Sequence, residues 1–182
     1  MTDRRLFGVL LIALSLTACT GGETEEVQVD KLAHACDLLD RVDTATLAGF
    51  ETARMQRSEE DNAEFNVRIS QCDHYGEDMS QRFSLVVRQD FSNRKLKSGA
   101  EQLMELRQKL GEFAEDGVEW HQIDGLGEAA AWNGTANQLT IYEDSGHTTL
   151  AFSVYGTAND EEKALDLAHA TILETPYGPS QR

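Results

Sequence analysis

The chain has 182 residues, a formal net charge of −16 and 7% aromatic residues. So acidic a surface repels nucleic acid and anionic head groups, which removes polyanion binding from the candidate functions. It serves solubility first, and it is compatible with cationic or protein partners.

Residues 1–18 have an order that a globular core does not need. Arg4 and Arg5 give a positive start, and Leu6–Leu16 form an almost unbroken apolar run. A membrane-spanning helix needs about 20 apolar residues, so the run is too short to cross a bilayer and instead matches the core of a secretory signal. It ends in Leu16-Thr17-Ala18-Cys19, which resembles the bacterial lipobox, where small residues precede a cysteine that is acylated before cleavage. The resemblance implies export and a mature chain that starts at Cys19. Two or three acyl chains, at about 0.8 kcal/mol per buried CH₂, then make a permanent membrane anchor. Thr20 stands where an Asp favours inner-membrane retention, so the expected location is the periplasmic side of an outer membrane if the cell has two membranes.

Removing residues 1–18 takes away Asp3, Arg4 and Arg5 and makes the formal charge one unit more negative. Residues 19–29, with Gly21, Gly22, Glu23, Glu25 and Glu26, lack apolar periodicity and read as an acidic, solvated tether. Residues 30–182 then read as a single α+β domain, a length that supports one sizeable core.

Leu32, Ala35, Cys36 and Leu39 form one apolar stripe, which predicts a helix over about 30–41 with Cys36 facing inward. With Cys19 assigned to lipid, Cys36 and Cys72 remain in a compartment that oxidises thiols, and a disulfide is the expected outcome. In the chain-entropy model such a bond contributes about 4 kcal/mol. The alternative is a metal site drawing on His34, Cys36, Cys72 and His74. Residues two apart on a helix diverge by roughly 200°, which argues against it, and no metal or cofactor is expected.

Asp43 can cap a short second helix carrying Leu47, with Gly49 as its stop. Strands are expected at about 52–57 and 67–74. Cys72 is out of phase with Val67 and Ile69, so the second of these either bulges or buries both faces in part. Phe83, Leu85 and Val87 alternate with Ser84, Val86 and Arg88 as a third strand. From about Arg94 to Phe113, Leu96, Ala100, Leu103, Leu106 and Leu110 recur at helical spacing. Short strands follow near 118–123 and 129–132. Leu139 and Ile141, then Leu150, Phe152 and Val154, mark two more strands joined through Glu143-Asp144-Ser145-Gly146 as a hairpin. A last helix from about Asn159 buries Leu165, Ala168 and Ile172 and stops before Pro176. This order predicts an α+β fold with a twisted, mainly antiparallel sheet and helices packed on it.

The early cysteine before Leu47-Ala48-Gly49, Cys72 with Tyr75 nearby, the segment Ile123-Asp124-Gly125-Leu126-Gly127-Glu128-Ala129 and a terminal helix with Ala164, Leu167 and Ala168 together resemble an envelope lipoprotein family of unknown function. That family is best known from actinobacteria and is similar in layout to LpqN-type and PsbP-like lipoproteins. The likeness covers nearly the whole mature chain and departs in having Glu128 where Asp is usual. It implies a Cys36–Cys72 pair and a Gly-Leu-Gly-acidic-x-Ala segment leading into a strand, and it carries no activity. Taken physically, Gly125-Leu126-Gly127 lacks the third glycine of a dinucleotide loop and reads as a turn with positive backbone angles. Asn133-Gly134-Thr135 reads as a hairpin turn rather than a glycosylation site.

The chain has no Gly-x-Ser-x-Gly, Ser-x-x-Lys or His-Glu-x-x-His motif, and His34, His74, His121, His147 and His169 share no metal-binding spacing. Trp120 and Trp132 read as core or sheet-edge residues. The candidate site is the mixed sheet face: if helices cover only the Phe83, Leu85, Ile141 and Phe152 side, then Arg88, Tyr142, Ser153 and Tyr155 face water. Tyrosines beside hydroxyls and a cation suit a protein or a small amphipathic ligand. A non-enzymatic binding module is therefore the preferred expectation. A hydrolase using His74 or His121 is the alternative, and a metal carrier comes third.

Overall fold

The computed structural model describes residues 34–173 apart from 78, 114–118 and 144. The helix expected over 30–41 appears as α1 (Ala35–Leu39), and positions 30–33 lie outside the described residues. His34 starts it by accepting the Cys36 N–H at Nδ1. In α2 (Thr44–Ala48) both expected boundary residues act: Asp43 accepts the Thr46 N–H, and Gly49 ends the helix at φ 80°.

The third helix, α3 (Gly99–Phe113), starts later than the apolar spacing suggested. A capping box decides this. The Glu101 N–H donates to Ser98 Oγ and the Ser98 N–H donates to Glu101 Oε2, which satisfies two donors that a helix begun at Arg94 would spend differently. The last helix, α4 (Asp160–Leu173), opens with Asp160, Glu161 and Glu162, carboxylates that complement the positive end of its dipole.

Seven strands form one antiparallel sheet: β1 (Arg54–Asn62), β2 (Val67–Tyr75), β3 (Arg82–Asp90), β4 (Trp120–Ile123), β5 (Ala129–Asn133), β6 (Gln138–Glu143) and β7 (Thr148–Tyr155). Their order is β1-β2-β3-β7-β6-β5-β4, so the hairpins β1–β2–β3 and β4–β5–β6–β7 join where β7 pairs with β3. The fold is α+β, as the order of elements implied. The Gly-Leu-Gly segment is the expected turn before β5, with Gly125 at φ 77° and Gly127 at φ 62°. Gly127 also lets the turn lie against β6, since a Cβ there would sit 2.6 Å from Ile141 Cγ2.

On the sheet's first face Cys72, Phe83, Leu85, Ile141, Phe152 and Val154 are buried together with residues of α1, α2 and α4. Cys36 and Cys72 are bonded to each other there, with Cα atoms 4.9 Å apart and neither residue exposed. That bond takes up both sulfurs a metal site would have needed.

The sheet departs from one sequence expectation and decides between the two alternatives of another. Helices do not lie on one side only: α3 rests on the second face, over β5 and β6, where Leu103 packs with Ala129, Ala131 and Tyr142. Of the two alternatives for β2, the bulge is excluded, since its register with β1 and β3 runs unbroken from Val67 to Tyr75, and the other holds, with residues on both faces partly buried. Cys72 shares the first face with Ser70 and His74, which leaves Val67 and Ile69 on the second. Among the described residues no helix is long and apolar enough to cross a membrane.

The seat of α3 is tight. A Cβ at Gly99 would lie 2.6 Å from Tyr142 Cβ, and the Gly99 N–H donates to Glu128 Oε1 at 3.0 Å. Gly99→Ala therefore lowers the unfolding free energy by about 1–3 kcal/mol in urea titrations, the usual cost of overpacking. Gly111 of the same helix meets nothing within 4 Å, so Gly111→Ala leaves the midpoint unchanged or raises it.

Candidate binding face

The four residues singled out in sequence all lie on the second face, but they do not form one open surface. Arg88 pairs across to Thr149, and Thr149 to Tyr142, so Arg88 and Tyr142 share a row. Tyr142 is only 8% exposed because α3 covers it, and that burial raises its phenol above the ordinary value. Ser153 is 6% exposed, in a row with Ser84 and Gln138. It sits among longer polar side chains, and Gln138 Nε2 donates to it at 3.3 Å. Tyr155 is exposed, but its hydroxyl donates to the Ala136 carbonyl at 2.8 Å, and in register it stands beside Arg82. The reading that all four face water thus fails at Tyr142 and Ser153.

The structure gathers a different set around Arg88. Glu60, Ile69 and Arg88 are successive partners in one row across β1, β2 and β3, and Asn62, Val67 and Asp90 form the next. Phe65, in the turn joining β1 to β2, closes the end of these rows at 55% exposure, while Ile69 is 38% exposed. With Arg94 from the segment after β3, these side chains line a groove of about 220 Å³. The out-of-phase Cys72 was the sequence signal for this groove, because the cysteine's place on the core face puts Val67 and Ile69 on the other. Arg94 and Asp90 had no such signal, since their contact depends on how the chain leaves β3.

Asp90 organises the cationic side of the groove. Its carboxylate is fully shielded from solvent and accepts from Ser92 N, Ser92 Oγ and Arg94 Nη2, with Arg88 Nη2 more distant at 3.5 Å. Burial opposes its charge, but the bonds from Ser92 and Arg94 outweigh burial and hold the carboxyl at about 2. Both guanidinium groups thereby stay beside the apolar patch, each partly exposed at its free edge.

Other polar groups are already committed. His34 Nε2 lies 2.9 Å from the Ser58 carbonyl. His74 stacks on Phe83 with ring centroids 4.3 Å apart, meets Thr52 Oγ1 at 2.9 Å, and burial holds its pKa below the ordinary value. His121 pairs with Glu161 at 2.7 Å on β4, at the other end of the sheet, so the two histidines considered for hydrolysis do not share a site. Trp132 belongs to the main core, and Trp120 packs beside the α3 cluster. A wider cavity of about 730 Å³ lies between the β5–β6 turn and the start of α4. Its rim carboxylates Asp160, Glu161 and Glu162 are bonded to Thr157, His121 and Asn159. Cys19 lies outside the described residues, as do the signal and tether segments.

No family model, curated protein or solved structure matches the chain.

Acid should expose the role of Asp90. Its folded pKa of about 2 lies below the ordinary 3.8, so the native bonds favour the charged carboxylate. The stability this contributes, ~2 kcal/mol, is complete above about pH 4 and is lost as pH falls through about 2. Urea midpoints measured across that window should fall steeply for the parent chain and only weakly for Asp90→Asn.

Proposed function

We propose that this protein is an exported lipoprotein, held at the cell envelope through acyl chains on Cys19, and that its domain binds a partner without transforming it. Support for export comes from the ordered signal pattern of residues 1–18, from the lipobox resemblance, and from a structural disulfide that suits an oxidising compartment. The likeness to envelope lipoproteins of unknown function points the same way.

The observation that carries the binding reading is the groove beside Arg88. Exposed aromatic and β-branched side chains stand next to two guanidinium groups on a part of the sheet that α3 does not cover. Such a pairing of apolar floor and planar cation fits a small amphipathic anion: the guanidinium edges grip a carboxylate or phosphate, and Phe65, Val67 and Ile69 take its hydrocarbon.

Dodecyl phosphate, kept below its micellar concentration, is a suitable probe. A saturable rise in melting temperature is expected, and Ile69→Asp or Arg88→Glu should weaken the apparent affinity about tenfold, ~1.4 kcal/mol. Tyr155→Ala, further along the sheet, should leave it unchanged. No saturation, or equal binding by all variants, would refute the assignment of this groove. The anchor is tested separately by feeding cells an alkynyl fatty acid: the parent chain becomes labelled and sediments with membranes, and Cys19→Ser loses both properties.

A further inference from the structure

The edge strand β1 carries a self-complementary charge pattern. All nine of its residues are exposed, and among the described residues only β2 pairs with it. Its outward-pointing backbone groups follow from the ladder. The Phe91 N–H donates to the Asn66 carbonyl, which extends the β2–β3 register, so even-numbered residues of β2 bond to β3 and odd-numbered ones to β1. Through the pairing of Ser58 with Gln71, even-numbered residues of β1 then bond to β2. Met55, Arg57 and Glu59 therefore aim their N–H and C=O groups away from the sheet, an open template for another strand.

Charges on an edge ordinarily prevent such pairing. Here they are sorted by sign: Arg54 and Arg57 precede Ser58, while Glu59, Glu60 and Asp61 follow it. We propose that β1 pairs antiparallel with β1 of a second copy of this chain, about a two-fold axis at Ser58, so that the two sheets become continuous.

The register is selective. A two-fold axis normal to the sheet keeps each face on its own side, so only residues of equal parity can stand opposite each other. Centred on Ser58, the pairing sets Arg57 against Glu59 of the other copy twice, and no like charges meet. Moved one residue either way, it still sets opposite charges together twice, Arg54 with Glu60 or Arg57 with Asp61, but it places Arg57 against Arg57 or Glu59 against Glu59 at the axis, a like-charge contact that the favoured register lacks. The favoured register also extends ion pairs already present. Arg57 is held by Asp37 at 2.8 Å and Glu59 meets Arg68 at 3.1 Å, so Asp37, Arg57, the second copy's glutamate and its arginine alternate in sign across the seam. Asp37 of α1 reaches Arg57 on the first face, yet all nine residues of β1 stay exposed, which leaves room for the second sheet at its outer edge.

In this register the two Ser58 residues form a non-hydrogen-bonded pair with Cα atoms about 4.5 Å apart, within reach of a disulfide. The full purified chain carrying Ser58→Cys should give a cross-linked dimer under mild oxidation. Gln56→Cys alone should not, because the two copies of residue 56 lie about 13 Å apart along the strands. A mixture of Gln56→Cys and Glu60→Cys chains should cross-link. In the Ser58→Cys background, Arg57→Glu should lower the cross-linked fraction of dilute protein about tenfold, and adding Glu59→Arg should restore it. A Ser58→Cys chain that stays monomeric overturns the proposal. So does a Gln56→Cys chain that cross-links equally well, or a charge exchange that restores nothing.

Discussion

The close seat of α3 on Tyr142 determines which part of this protein meets its surroundings. Gly99 allows the first turn to approach within the space of a single Cβ, and Glu128 and the Ser98–Glu101 box hold that turn in place. Because α3 lies over β5 and β6, it closes one half of the second face and leaves β2 and β3 without a helix there. The first face has no such division, since α1, α2 and α4 share it and the largest buried side chains lie beneath them. One helix placed on the opposite side thus separates a packed half-sheet from a half-sheet available for contact.

The parts of this fold that were legible in the sequence are those set by local rules. Asp43 and Gly49 bound α2 because capping and a left-handed stop act within a few residues. The β6–β7 hairpin formed around Ser145 and Gly146, whose positive φ angles suit a tight return. What periodicity missed is long-range. An apolar stripe on α3 does not say which face of the sheet it will cover, so Tyr142 was counted as exposed. β1 was read too short, because Arg57-Ser58-Glu59-Glu60-Asp61-Asn62 has the composition of a loop and becomes a strand only through its ladder with β2. The phase conflict at Cys72 was real information: it marked a strand with apolar residues on both faces, and the exposed pair on the second face became part of the groove.

Charge is distributed as unevenly as cover. Arg54, Arg57, Arg68, Arg82, Arg88 and Arg94 sit on β1, β2, β3 and the segment after them, whereas Glu119, Asp160, Glu161 and Glu162 gather beside β4 and the start of α4. In a chain with net charge −16 these guanidinium groups stand among carboxylates, with Arg57 bonded to Asp37, Arg68 to Glu59 and Asp61, Arg82 to Asp73, and Arg88 and Arg94 to Asp90. At the groove two guanidinium groups share Asp90, so an anion there would be gripped by their free N–H donors at short range rather than drawn in by a net positive field.

The point at which the domain can be pulled follows from the same geometry. On the first face α1 is held by the Cys36–Cys72 bond, by the Ala35 N–H on Ser70 Oγ and by the contact between His34 and the Ser58 carbonyl. With the proposed lipid on Cys19, tension along the tether would meet the contacts of His34 and Ala35 and then Cys36, where a covalent bond passes it into β2. The five-residue α1 could not carry it with hydrogen bonds alone, each contributing about 1 kcal/mol net. Under that proposal the disulfide would do more than limit the unfolded chain, carrying load from the anchor to the middle of a hydrogen-bonded ladder. The groove lies on the other face of that same strand, clear of the face that α1 occupies.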